Sequence, residues 1–305
     1  MTAVSRLSFV LLFWMVIVAS ALAGPAEDAY ERKDYSSALR IWTQSAERND
    51  ADAQIRIGAM YADGVGVDRN YQTAANWFLR AARQGSARAQ FNLGSMYYHG
   101  QGVQQSYEEA ARWLSLAAQQ GHAAGSYTLG NLYAEGRGVP QDKVQALKWY
   151  RLAAEQGHPA AQTSVALAYF KGDGTSVDEA EAAKWAMRAA EKGHVIAQYN
   201  LGIMFANGRG VPQNMSEAAV WYRRAADKGY TLAQSSLGTL YNEGRGVVHD
   251  LTQAHFWLTL AASRGDAKAV STLNDIRVQL TADQIAQSER LVRSWKPSAD
   301  PEQGD

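Results

Sequence analysis

Six tryptophans, Trp77, Trp113, Trp149, Trp185, Trp221 and Trp257, stand 36 residues apart without a slip of register. A fixed period of this length is the mark of a stacked-repeat architecture, in which each copy is one supersecondary unit that buries its apolar face only against its neighbours. Glycine keeps the same step. Gly58, Gly94, Gly130, Gly202 and Gly238 form one column, with Ala166 in the fourth copy, and three further columns run unbroken from Gly64 to Gly244, Gly66 to Gly246 and Gly85 to Gly265. All of the 26 glycines except Gly24, Gly125 and Gly304 belong to these columns, so the glycine content marks architecture and excludes a flexible linker.

The unit is clearest between Ala89 and Gly121. Gln90, Leu93, Gly94 and Tyr97 fall at i, i+3, i+4 and i+7, which predicts a helix (helix A), and Ala110, Trp113, Leu114 and Ala117 repeat that spacing for a second one (helix B). Before each helix B stands Asn70, Ser106, Asp142, Asp178, Asn214 or Asp250, residue types that accept from free helix N–H groups. Three positions later come Thr73, Glu109, Gln145, Glu181, Glu217 and Gln253, which predicts a reciprocal capping box in every copy but the first. The Gly-x-Gly pair closes helix A in the left-handed conformation, and the Gly85 column closes helix B similarly. Glycine inside helix A costs about 1 kcal/mol relative to alanine, so the Gly94 column requires a packing reason. The expected one is a close approach of helix B, with a buried tryptophan filling the adjacent space.

The pattern Ala89-Gln90, Leu93-Gly94, Tyr97, Gly100-x-Gly102-Val103 and Ala110-x-x-Trp113-x-x-x-Ala117-Ala118-x-x-Gly121 resembles the Sel-one-like repeat family, relatives of the tetratricopeptide repeats. The resemblance runs from about Ala51 to Gly265 and implies an all-α, right-handed α-solenoid of antiparallel helix pairs that serves as a protein-interaction scaffold. Residues 24–50 read as a partial N-terminal repeat, with Asn49 in the column that otherwise holds glycine, and residues 51–265 as six full repeats. Residues 266–296 read as a pair of capping helices, the second opened by a Thr281–Gln284 capping box and carrying an apolar stripe of Ile285, Leu291, Val292 and Trp295. The polar stretch 297–305 reads as a disordered tail.

Residues 1–23 read as a secretory signal. Arg6 precedes an apolar run from Leu7 to Val18 and an Ala21-Leu22-Ala23 cleavage site, so the mature chain is expected to begin at Gly24 and to be periplasmic or secreted. An uncleaved N-terminal membrane anchor is the competing expectation; on the cleaved reading the membrane is met only during export.

The chemistry of the chain is defined by what it lacks. With 30 basic and 30 acidic residues it offers no electrostatic footprint for nucleic acid. It has no cysteine, which excludes disulfides, a lipoprotein anchor and a thiolate zinc site, and it holds no G-x-S-x-G, S-x-x-K or H-E-x-x-H motif. No cofactor, metal or catalytic residue is therefore expected. His122, His158 and His194 recur at the period, but successive repeats are about 10 Å apart, too far to share one ion held at about 2 Å, and they read as turn residues.

A protein or peptide partner is the expected ligand. If Gln90, Gly94 and Tyr97 face the hairpin core, Phe91, Ser95 and Tyr98 lie about 100° around the helix, on what the tetratricopeptide resemblance makes the concave face. The Phe91 column reads Ile55, Phe91, Tyr127, Thr163, Tyr199 and Ser235; it varies, and it carries aromatics of the kind that anchor partners. Phe91, Tyr98, Tyr127 and Tyr199 are the candidate binding residues, against the competing expectation that these rings pack on the next helix A. Arg137, Arg209 and Arg245, which share one column between paired glycines, form a second candidate edge, for carboxylates, unless they are solvated loop residues. The leading expectation is a non-enzymatic envelope scaffold. Its rival is an envelope polysaccharide- or peptidoglycan-binding protein, or a hydrolase-related one, since some members of the resembled family have been discussed as binding or hydrolysing β-lactams.

Overall fold

The computed structural model describes residues 24–298, so the expected signal sequence, its cleavage and residues 299–305 lie outside the described residues. Every regular element among the described residues is an α-helix, and the chain forms two compact units that meet between Gln141 and Asp142. The first holds α1 (Pro25–Glu31), α2 (Tyr35–Glu47), α3 (Ala51–Asp63), α4 (Tyr71–Arg83), α5 (Ala87–His99), α6 (Tyr107–Gln119) and α7 (Ala123–Glu135). The second holds α8 (Lys143–Glu155), α9 (Pro159–Lys171), α10 (Glu179–Glu191), α11 (Val195–Asn207), α12 (Met215–Asp227), α13 (Thr231–Glu243), α14 (Leu251–Ala262), α15 (Ala267–Arg277) and α16 (Ala282–Ser294). Within each unit successive helices pack on one another in chain order, as expected of a solenoid built from repeated helix pairs.

Helix B begins where the capping residues predict, but only half of the expected capping box is made. The side chains of Asn70, Ser106, Asp142, Asp178, Asn214 and Asp250 accept from the backbone N–H three residues on. The reciprocal bond is absent from these turns, and in five of them the cap's own N–H is already occupied. That of Asn70 donates to the carbonyl of Tyr61 at 2.8 Å, and Ser106, Asp178, Asn214 and Asp250 donate likewise to Tyr97, Tyr169, Phe205 and Tyr241 near the end of their own helix A. The second half of the box is thus replaced by a backbone bond that clamps the two helices of a hairpin together. Thr281 and Gln284 do form the complete box at the start of α16.

The glycines inside helix A are explained by close packing, though the tryptophan is not the neighbour. A Cβ on Gly94 would lie 2.8 Å from Cγ of Leu114, and one on Gly58, Gly202 or Gly238 would meet Phe78, Tyr222 or Leu258. The residue after each tryptophan therefore seats against the glycine. That column is buried throughout, whereas Trp77, Trp113 and Trp149 are only half-buried and Trp185, Trp221 and Trp257 are buried.

Two further columns tie each repeat to the one before it. The second glycine of each turn has a positive φ and lies against the preceding helix B: a Cβ on Gly102 would stand 2.2 Å from the backbone carbonyl of Tyr71, and one on Gly174 2.3 Å from the carbonyl oxygen of Lys143. Gln54, Gln90, Gln162, Gln198 and Gln234 are buried, and each donates its amide to the carbonyl eight residues earlier, adding a second bond to an acceptor near the end of the preceding helix B that already takes the backbone N–H three residues on. At the ends of the chain, Trp42 takes the Phe78 position in α2, and Asn49 adopts the left-handed conformation with φ 72°. Of the expected apolar stripe of the C-terminal helix, Val292 and Trp295 pack on the core and Ile285 is half-buried, whereas Leu291 is exposed. The fully buried residue of α16 is Ser288, hydrogen-bonded to Nδ1 of His255 at 2.9 Å.

Candidate functional site

Four members of the Phe91 column make contacts to the neighbouring repeat. Phe91 stacks on His122 with ring centroids 4.5 Å apart, Tyr199 lies 5.2 Å from Tyr230 and 5.7 Å from Tyr222, and Ser235 donates to Asp266. Thr163 is hydrogen-bonded to Nδ1 of His194 at 2.9 Å. Apart from Tyr222, which lies in helix B of the same repeat as Tyr199, each of these partners is the N-cap residue of the next helix, so these contacts couple repeats. Burial pushes the Tyr199 phenol up, with a partly offsetting hydrogen bond from Ser236, and the ring packs on the core around Tyr222. Tyr127 is half-buried. Tyr98 is half-buried, edge-on to His99 and Tyr107.

Two of the periodic histidines are side-chain caps, while His194 stands at the N-cap position with its Nδ1 on Thr163. Nδ1 of His122 accepts from the N–H of Gly125 at 3.1 Å, and Nδ1 of His158 from that of Ala161 at 3.3 Å. Such a cap needs an unprotonated Nδ1, and burial lowers the pKa of both imidazoles, with Arg88 adding to the effect at His122. Among the described residues no group of three or more His, Asp or Glu side chains could hold a metal ion.

The arginine edge is already engaged. Arg137 pairs with Glu135 at 2.9 Å and lies over the ring of Tyr107, and Arg245 pairs with Glu243 at 3.1 Å. Arg209 pairs with Glu179 and lies 4.0 Å over the ring of Phe170. Each carboxylate is internal, which leaves the edge with little net attraction for an acidic partner; solvent-exposed pairs of this kind contribute only about 0–1 kcal/mol.

The Ser95 and Tyr98 columns place further apolar residues on the helix A side in the fourth and fifth repeats. Leu167 is 42% exposed, and beside it lie Phe170 of α9 and Ile203 of α11, both half-buried. Leu167 and Ile203 share one column, which holds Ala59, Ser95, Asn131 and Thr239 in the other repeats, so apolar bulk is concentrated here. Beneath it is a cavity of about 100 Å³. The sequence analysis reached this face through Ser95 and Tyr98 but not these members of their columns; the usable signal was the coincidence of Ala166 and Ala186, two departures from pattern in one repeat.

These features define the chain as an all-α solenoid of helix-pair repeats of about 36 residues. The chain belongs to the Sel1 repeat family: seven matches to the family model cover residues 28–50, 51–86, 87–122, 123–158, 159–194, 195–230 and 231–266. Proteins of this family typically act as protein-interaction scaffolds. Among solved structures, the chain is similar to c5321, a protective antigen present in uropathogenic Escherichia coli strains displaying an SLR fold, with 37% identity and a TM-score of 0.78 over 84% of this chain. The match takes in 55% of the antigen, so the chain spans about half of that relative's length. It is also similar to a Sel1 repeat protein from Oxalobacter formigenes, with 34% identity and a TM-score of 0.69 over 77% of this chain and 94% of the relative. No curated protein matches the chain.

Proposed function

We propose that the chain is an exported, non-enzymatic scaffold that binds a protein or peptide partner in the cell envelope through the helix A side of its fourth and fifth repeats. The observation that carries this reading is the exposed Leu167 with Phe170 and Ile203 beside it, at positions where the other repeats place mostly smaller or polar residues. Contiguous apolar surface left open to solvent is the usual material of a binding surface. Export is supported by Arg6, the Leu7–Val18 run and Ala21-Leu22-Ala23. The description of the E. coli relative as a protective antigen is in keeping with it.

The test is retention of protein from an envelope extract by the tagged mature chain and by Leu167→Asp. A discrete species held by the first and lost from the second supports the reading; no retained species, or one held equally by both, overturns it. Export is checked separately, by fractionating a bacterial host and finding the N-terminus by mass spectrometry. Gly24 in the soluble periplasm is the expected result, and an intact Met1 in the membrane fraction would show an anchor.

A further inference from the structure

The fourth repeat breaks the packing rule of its neighbours at two places at once. Where other repeats set a glycine of helix A against a large residue of helix B, as in Gly94 with Leu114, Gly202 with Tyr222 and Gly238 with Leu258, this repeat has Ala166 and Ala186. One methyl is gained and a leucine- or tyrosine-sized side chain is lost. The backbone does not collapse to fill the difference, because the turn glycines and buried glutamines of the flanking repeats keep the helices in register. The result is the cavity of about 100 Å³, with Ala166 and Ala186, both buried, in its wall.

The site is open to a ligand. Leu167, Phe170 and Ile203 also line it, and of these Leu167 is exposed. Phe170 is held by the guanidinium of Arg209 over its ring, and Arg209 is neutralised by Glu179. The charges at this wall therefore cancel, which matches a neutral occupant. Asn200 is the one polar side chain among those that line the cavity. Buried water needs two to four polar partners, and an apolar cavity of about 150 Å³ stays dry and admits benzene. A space of this size and lining is better filled by carbon than by water.

Resting on the reading that the chain binds a protein or peptide partner, we propose that this cavity is a specificity pocket for one apolar side chain of that partner, of leucine to phenylalanine size. The neighbouring repeats supply the mould: the same helical framework accommodates Leu114, Leu258, Phe78 or Tyr222 at this place when the side chain comes from helix B itself. In the fourth repeat the side chain comes from the partner, entering beside Leu167.

The test uses toluene as the probe and methyl NMR of the full mature chain as the readout. Toluene should shift the methyl signals of Ala166, Ala186, Ile203 and Met204 in the parent, and the Ile203 and Met204 methyls should stay unmoved in Ala166→Gly/Ala186→Leu, which rebuilds the residue pair of the second and sixth repeats and should melt no lower than the parent. Should that variant fail to fold, Ala186→Val narrows the same space and should weaken the toluene shifts severalfold. Unmoved methyls in the parent, or equal shifts in parent and filled variant, overturn the pocket. A retained partner together with no toluene response would sink the pocket alone, while a toluene response with no retained partner would sink the partner reading and leave the pocket standing.

Discussion

Gly102→Ala and Gly121→Ala separate two roles that glycine has in this chain. Both residues have a positive φ, 68° and 83°, so alanine at either site meets the left-handed penalty of about 1–2 kcal/mol. Their surroundings differ. A Cβ on Gly121 would have nothing within 4 Å, whereas one on Gly102 would stand 2.2 Å from the carbonyl carbon and oxygen of Tyr71 and 2.5 Å from the N–H nitrogen of Gln72. Those atoms are helix backbone and cannot rotate aside, so the two repeats must move apart, and overpacking of this kind typically costs about 1–3 kcal/mol more. Gly121→Ala should therefore destabilise by about 1–2 kcal/mol and Gly102→Ala by about 2–5 kcal/mol. Urea titrations followed by far-ultraviolet circular dichroism measure both, and a lowered m-value in Gly102→Ala would report that neighbouring repeats have uncoupled. Variants that agree within about 0.5 kcal/mol would refute the inter-repeat role of this glycine.

Stability should fall in mild acid. Burial holds His122, His158 and His255 below the ordinary imidazole value of 6.5, so the unfolded chain takes up protons first; their contribution is complete above that pH and is lost as pH falls towards the folded values. Urea midpoints at about pH 7.5 and about pH 5 should show the loss, and His122→Asn, which keeps a cap without a titrating ring, should reduce it. Ser126 stands where the other full repeats have the buried glutamine, and its hydroxyl is buried without a partner. Ser126→Gln should reach the carbonyl of Ala118 and stabilise by about 0.5–1.5 kcal/mol in the same titration, and a destabilised variant would show that the third repeat has no room for the longer side chain. Trp257→Ala, at a site 1% exposed, should cost about 3–5 kcal/mol, and Trp149→Ala distinctly less because Trp149 is half-buried; equal losses would contradict the packing described for this column.

The helices were legible in the sequence because period, capping residues and turn glycines all repeat, and each copy confirms the others. What was not legible depended on atoms outside the local pattern. Asn70 and its equivalents look like one side of a capping box until the carbonyl of Tyr61 is found to hold the cap's N–H. The neighbour of Gly94 was assigned to the conspicuous Trp113, yet helix rotation presents Leu114. The ring contacts of the Phe91 column were not legible either, because Phe91 on His122 and Tyr199 on Tyr230 meet the N-cap of the next helix, one repeat away in sequence. The pocket needed Ala166 and Ala186 to be read as a pair, and they lie on different helices.

Partner binding by the Leu167 face is most directly tested by photo-crosslinking in the native host. A photoreactive phenylalanine would be placed singly at Leu167 and at Val248, the latter 86% exposed in the turn before α14. Binding on the helix A side of the fourth and fifth repeats predicts a discrete crosslinked protein from position 167 and none from position 248. No product at 167, or the same product from both positions, would contradict it.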